Sequence, residues 1–240
     1  MGNQSLHIAI DLGNSFAKMG TFIKTELVDD YITVPYESLA EKVNQINASQ
    51  VIISSVNQQL NQLSTQIKAP LLILDHNTPI PIINKYVTPQ TLGRDRLAAV
   101  IGAFTIESNV NTLVIDVGTC ITYDFLNENN EYLGGSISPG IVLKYKALHN
   151  FTANLPLVDE WQANDLIGNS TVSAIASGVI NGTIAEIEEI IRMYNDKFSH
   201  LRIIMCGGGA KELQSKLKIR TKLVPDLVLK GLIRILEYNV

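Results

Sequence analysis

The feature that most limits what this chain can fold into is a phrase used twice. "IAIDLGNS" runs from Ile8 to Ser15 and "LVIDVGTC" from Leu113 to Cys120. Each is an apolar run closed by an aspartate, an apolar residue, a glycine and a small polar residue. Each is followed by a second strand-like stretch, Phe16 to Ile23 and Ile121 to Asn127, so each phrase opens a hairpin. Asp11 and Asp116 stand 105 positions apart, a spacing that reads as a duplicated domain rather than a solenoid unit. A lone Asp-x-Gly is a tight turn, because Asp tolerates turn geometry and Gly supplies positive φ. Two of them at equivalent strand ends ask for more. An anionic side chain closing an apolar strand costs desolvation unless a cation or donors meet it. A glycine beside it lets backbone N–H groups approach phosphate oxygens. The pair therefore reads as two phosphate-and-metal turns that grip a nucleotide from both sides of a cleft.

The intervening pattern is α/β. "TELVDDYITVP" reads as one further strand ending at Pro35, and "YESLAEKVNQIN" as a helix with Leu39, Val43 and Ile46 on one face. "VIISSV" and "LLILD" are continuous apolar runs, as expected of strands covered on both sides, with a helix between them. "TLGRDRLAAVIGAFTI" is a helix with Leu97, Val100, Ile101 and Phe104 as its buried stripe. The program then restarts. "EYLGGSIS" supplies a third strand beside the second hairpin, followed by helices at "PGIVLKYKALHN" and "STVSAIASGVINGTIAEIEEIIRMYNDKF". "LRIIMCGGG" is a buried strand breaking into glycines, and "PDLVLKGLIRILEY" a closing helix opened by Pro225. The expected division is 1–108 and 109–240, with no Gly/Ser linker to mark it.

Composition removes several classes of function. At 240 residues, 46% hydrophobic and 18% charged, the chain is globular and too apolar for disorder. A net charge of -4 offers no footprint for nucleic acid. No apolar run reaches the roughly 18 residues a membrane span needs, and "MGNQSLHIAIDLG" lacks the basic start of a signal peptide. Cys120 and Cys206 have no metal spacing and read as reduced thiols of a cytoplasmic protein. The four histidines are scattered, as fillers are. There is neither a G-x-x-x-x-G-K-[ST] loop nor a G-x-G-x-x-G turn, so Walker and dinucleotide folds find no support.

Taken together, the motifs resemble the actin, Hsp70 and sugar-kinase superfamily, and within it the type III pantothenate kinases. "DLGNS" at Asp11 to Ser15 is similar to the first phosphate motif of that family, and "DVGTC" at Asp116 to Cys120 to its second. "GRDR" at Gly93 to Arg96 is similar to its G-x-D-R signature. "GGSISPG" (134–140), "TANLP" (152–156) and "NSTVSAIASG" (169–178) also fit, and "GGG" (207–209) stands where the family holds adenosine. The order and spacing cover nearly the whole chain. The resemblance implies duplicated ribonuclease H-like (actin-like ATPase) domains with a nucleotide cleft between them. It also implies ATP-dependent phosphorylation of pantothenate to 4'-phosphopantothenate, and a homodimer whose acceptor pocket is completed at the interface.

Residue by residue, the resemblance gives Asp11, Leu12, Gly13, Asn14, Ser15, Phe16, Ala17, Lys18 and Thr119 to ATP. Asp11 would be the magnesium-associated acid, through water, because Mg²⁺ keeps several waters; Lys18 reads equally well as a solvated strand charge. Asp95 would accept the proton of the pantothenate hydroxyl, although an acid at a helix start also suits the helix dipole. Tyr86, Gly93, Arg94, Asp95, Arg96 and Thr171 would line the acceptor, with Arg96 offering a planar fork to its carboxylate. Asp116 corresponds to a ligand for a monovalent cation, K⁺ or NH₄⁺. Two departures stand out: Arg94, where many members carry a small residue, and Cys120, where alanine is usual. Competing readings are an actin-like or Hsp70-like ATPase, a non-catalytic regulator on the same fold, and a kinase for another small alcohol.

Overall fold

The computed structural model describes residues 5–13, 16–55, 60–159, 161 and 165–240. Strand β1 (Leu6–Leu12) pairs antiparallel with β2 (Ala17–Ile23), placing Asp11 opposite Lys18. The single strand expected at "TELVDDYITVP" is two short ones, β3 (Glu26–Leu27) and β4 (Ile32–Val34). Both pair with β2, at opposite ends of it, and the acidic pair Asp29–Asp30 stays exposed between them. Charges that would be costly inside a ladder force that break. Helix α1 (Tyr36–Gln45) leads to β5 (Gln50–Ser55), parallel to β1, and α2 (Leu60–Gln66) to β6 (Leu71–Ile73), parallel to β5. The strand order is β3-β2-β1-β5-β6, with β4 beside β2. Period-two alternation sends Ile8, Ile10, Leu12, Val51 and Ile53 to one face, where they pack with Leu39 and Val43 of α1 and Leu63 of α2.

Beyond β7 (Ile83–Asn84), helix α3 (Arg94–Ile106) departs from a simple amphipathic pattern. Every residue from Arg96 to Ala103 is buried, not only the expected stripe, and Phe104 is partly exposed. Small residues on its remaining face admit a second helix, so no side of the middle of α3 is left to water.

The second sheet begins with β8 (Thr112–Val117), β9 (Cys120–Leu126) and β10 (Glu131–Pro139). Helices α4 (Ile141–Asn150) and α5 (Thr171–Lys197) follow, then β11 (Arg202–Cys206), the short α6 (Ala210–Gln214) and β12 (Lys222–Leu223). The order is β12-β11-β8-β9-β10-β7. Leu113, Ile115, Val117, Ile121 and Tyr123 meet Ile141 and Tyr145 of α4 and a run of α5 isoleucines and valine. A reciprocal Ser170–Ser173 capping box starts α5. The two-residue strands β7 and β12 and the helix α6 carry too few residues for any periodic signal.

Packing divides the chain into two units: residues 1–109, 126–134 and 226–240, and residues 110–125 and 135–225. The first cut falls close to the expected 108/109 boundary, but the closing helix α7 (Leu227–Tyr238) belongs with the first unit. It lies along α3 with backbone touching backbone. A methyl built on Gly231 would stand 1.7 Å from the Ala98 carbonyl oxygen, and one on Gly102 2.1 Å from that of Leu227. Among the described residues no helix is long and apolar enough to cross a membrane.

Gly231→Ala is expected to destabilise the protein by about 1–3 kcal/mol, the scale of overpacking, because neither backbone can yield. Gly182→Ala, at an exposed position of α5 where an added Cβ meets nothing within 4 Å, should instead stabilise by roughly 0.5–1 kcal/mol. Urea-unfolding midpoints of the two variants check the opposite signs.

Candidate active site

In the first unit the sheet itself builds the site. Asp11 lies between Lys18 on β2 and Ser54 on β5 in register, so the three share one face. The Ser54 hydroxyl donates to Asp11 Oδ1 at 2.8 Å. Burial pushes the Asp11 carboxyl above the usual carboxylate range; Asp95 adds to that, while Ser54 and the Lys18 charge oppose it. The net effect is a carboxylate whose charge its own surroundings do not balance. The turn that follows is pinned from outside: the Tyr36 hydroxyl donates to the Gly13 carbonyl, and Gly13 N–H to that of Phe16 at 3.2 Å. Leu12 and Ala17 are buried anchors of the hairpin, Phe16 is exposed, and Lys18 stands over the Tyr31 ring at 5.8 Å. Asn14 and Ser15 lie outside the described residues.

Asp95 is brought to the same place by the start of α3. Its Oδ1 accepts the Arg96 N–H at 2.9 Å, which holds the carboxylate at the first turn where the helix dipole favours it. Gly93, the N-cap of α3, lies close to it as well, a methyl built there standing 2.5 Å from that oxygen. Arg96 is buried, with its guanidinium 5.7 Å from the Tyr86 ring centre. Tyr86 is stacked on Tyr132 at 6.0 Å, and it also borders Gly134, where a φ of 95° calls for glycine and an added Cβ would stand 3.2 Å from the ring. Arg94 does something different from its neighbours. Its guanidinium donates to the carbonyls of Pro89, Leu92 and Gln90 at 3.2, 2.7 and 3.4 Å. It staples the loop leading into α3.

In the second unit Asp116 ends β8 beside Cys206 of β11. Gly207, at φ 92°, packs its backbone tightly there: a Cβ would stand 2.3 Å from Asp116 Oδ1 and 2.6 Å from Val117 N. The next turn rests on backbone alone, Gly209 N–H donating to Val117 O and Gly140 N–H to Thr119 O, each at 3.0 Å. Thr119 and Thr171 are exposed, the latter in the first turn of α5. Trp161 lies against Gly209, 2.8 Å from where its Cβ would be. Sequence reasoning missed Ser54, Tyr36, Trp161 and a polar cluster around Glu186. Only Ser54 left a signal, as the first polar residue in the "VIISS" run. Among the described residues no group of three or more His, Cys, Asp or Glu side chains could hold a metal ion; Mg²⁺ commonly uses one or two carboxylates with waters and substrate phosphates.

Comparison with known proteins points one way. The model of the family described as type III pantothenate kinase matches residues 7–193. A protein of Christiangramia forsetii named type III pantothenate kinase is 41% identical over 242 residues, covering 98% of this chain and 99% of its own. One from Cytophaga hutchinsonii, of the same name, is 39% identical over 98% of this chain and 100% of its own. Among solved structures, a Campylobacter jejuni protein described as a Baf family transcriptional activator gives a TM-score of 0.66 at 24% identity, over 97% and 98% of the two chains. That last likeness shows the fold alone.

Asp11→Asn is expected to raise the melting temperature of the ligand-free protein, measured with a chelator at neutral pH. Each kcal/mol relieved corresponds to about 2–4 °C at this size. A carboxyl whose folded value is raised costs no stability below its unfolded value, and the cost grows as pH rises through the folded one. The difference between variant and wild type should therefore close in acid.

Proposed function

From the premise that this chain belongs to the type III pantothenate kinase family, we propose how it performs the family's reaction, the ATP-dependent phosphorylation of pantothenate that begins coenzyme A biosynthesis. The observation that carries the reading is Asp95, fixed by the Arg96 N–H at the mouth of α3 and close enough to Asp11 for the two charges to interact. A carboxylate is too weak a base to ionise an alcohol in advance. Asp95 orients the pantothenate hydroxyl and takes its proton late, which suffices because phosphoryl transfer gains chiefly from positioning. Arg96, held against Tyr86, presents its fork to the pantothenate carboxylate. Tyr86 and Gly93 shape that wall, and Arg94 keeps the approach loop in place; the family resemblance gives Thr171, in the second unit, to the acceptor too.

On the nucleotide side, the family resemblance gives the Asp11-to-Lys18 turn of the first unit to the phosphates of ATP, and it gives Thr119 of the second unit to ATP as well. The donor set fits a divalent ion at Asp11, whose carboxylate lacks a balancing charge; Mg²⁺ bound with ATP would offset the phosphate charge, with Asp11 holding it through water. The family resemblance gives Asp116 a monovalent ion, K⁺ or NH₄⁺, and its carboxylate lies at a strand end with the Gly207 backbone packed close against it. We place the protein in the cytoplasm, neither Cys120 nor Cys206 being in a disulfide. We further read it as a homodimer. Exposed Ile137, Val142, Leu143 and Phe151 on the second unit support that reading.

Purified protein is expected to release ADP only when pantothenate is present, and Asp95→Asn to lower turnover at least ~10²-fold, the scale of a positioned acid or base, with ATP affinity and melting temperature unchanged. Near-normal turnover of that variant would remove Asp95 from the chemistry.

Initial rates at fixed ionic strength and saturating Mg²⁺ should rise steeply with potassium or ammonium and little with sodium. Full activity in sodium alone would leave Asp116 without a monovalent ion to bind.

A further inference from the structure

The polar groups of the second unit that the reaction does not use converge on one carboxylate. Glu186, near the middle of α5, is half-buried. The Tyr123 hydroxyl of β9 donates to its Oε1 at 2.8 Å and Lys144 Nζ of α4 to its Oε2 at 2.7 Å. The hydroxyl of Ser138, at the end of β10, donates to it as well. Lys144 Nζ also reaches Thr183 Oγ1 at 2.9 Å, and that hydroxyl donates to Val179 O at 2.7 Å. Burial by itself would push the Glu186 carboxyl up; its donors from Lys144, Ser138 and Tyr123 outweigh burial and hold it below the usual range. The carboxylate is thus charged, satisfied and shared by four elements. Burying such a pair gains little stability over an apolar core of the same volume, which raises the question of what it holds.

Ser138 and Lys144 flank the junction between β10 and α4, and Gly140 stands between them. Gly140 N–H donates to Thr119 O at 3.0 Å, and its carbonyl accepts the Lys144 N–H at 2.9 Å. A Cβ at this glycine would come within 2.4 Å of Gly118 O and 2.5 Å of Thr119 O, so the second phosphate turn rests directly on its backbone. One carboxylate grips the junction at both ends while the middle supports the turn.

We propose that Glu186 is a positioning residue for the second phosphate turn, setting the ATP side of the transfer and not the acceptor side. The inference rests on the assignment of Thr119 to ATP made above. With Glu186→Gln, KM for ATP is expected to rise on the order of tenfold, within the range known for misplacing a site from outside the chemistry, while KM for pantothenate moves less than twofold. Lys144→Met should give the same split, and the double variant should be no worse than either single one, because both remove one interaction. Equal changes in both KM values, or no change in either with only a lower melting temperature, would overturn the proposal and leave a purely structural pair. Should Glu186→Gln fail to fold, Tyr123→Phe, which deletes one donor, carries the same test with a smaller shift in the same direction. Calorimetric titration of ATP into the wild type and each variant separates the two readings: it reports on Glu186 even if pantothenate proves not to be the acceptor.

Discussion

Everything at the first half-site follows from placing a carboxylate at the end of an apolar strand. Asp11 cannot slip along β1 without turning onto the packed face of Ile8, Ile10 and Leu12, so the strand ladder fixes its place. Its neighbours in register, Lys18 and Ser54, moderate the cost of its burial without cancelling it. The fold thereby keeps an electrostatic debt at one point, and a cation or a proton is the natural way to discharge it. Active sites commonly hold such strain because the surrounding structure over-determines it.

The second carboxylate, Asp95, is positioned by a different kind of constraint. It rides on a helix buried on all sides, and a helix can be buried on all sides only if its neighbours approach closely. Gly102 and Gly231 permit that approach between α3 and α7. Sheet register thus sets one acid and helix-to-helix backbone contact sets the other. The second unit repeats the logic with a third device, glycines at 140, 207 and 209 that let loop backbones stack on the Asp116 turn.

Much of this was legible in the sequence, for physical reasons. The strands β1, β5 and β8 announced themselves as apolar runs because both of their faces are covered, and the Asp-x-Gly turns were visible because an acid is so improbable there. The acidic pair Asp29–Asp30 was equally visible, yet its consequence, splitting one strand into β3 and β4, depends on which edge of β2 is free. The all-round burial of α3 was hidden for a similar reason: alanine and glycine carry no periodic signal, and only the partner helix reveals them as a contact surface. The G-x-D-R resemblance gives Arg94 to the acceptor wall but says nothing of the hydrogen bonds it makes in the fold. On a helix, neighbouring residues point about 100° apart, and its guanidinium turns back onto the loop carbonyls. The Glu186 cluster draws on residues up to 63 positions apart, and no local pattern encodes a contact of that span.

The interleaved packing of the chain bears on its biosynthesis. During translation, residues 1–109 emerge with β1, β5 and α3 complete in sequence, yet the helix that covers α3 is specified only by residues 227–238. Until those have left the ribosome, the apolar middle of α3 has no permanent cover, and the nascent first unit waits while the second is made. Domains of larger proteins usually fold as units in order of synthesis. Here the unit that carries both Asp11 and Asp95 begins first and finishes last, so a prematurely terminated product would display uncovered apolar helix to chaperones and proteases and would not persist as a half-assembled enzyme.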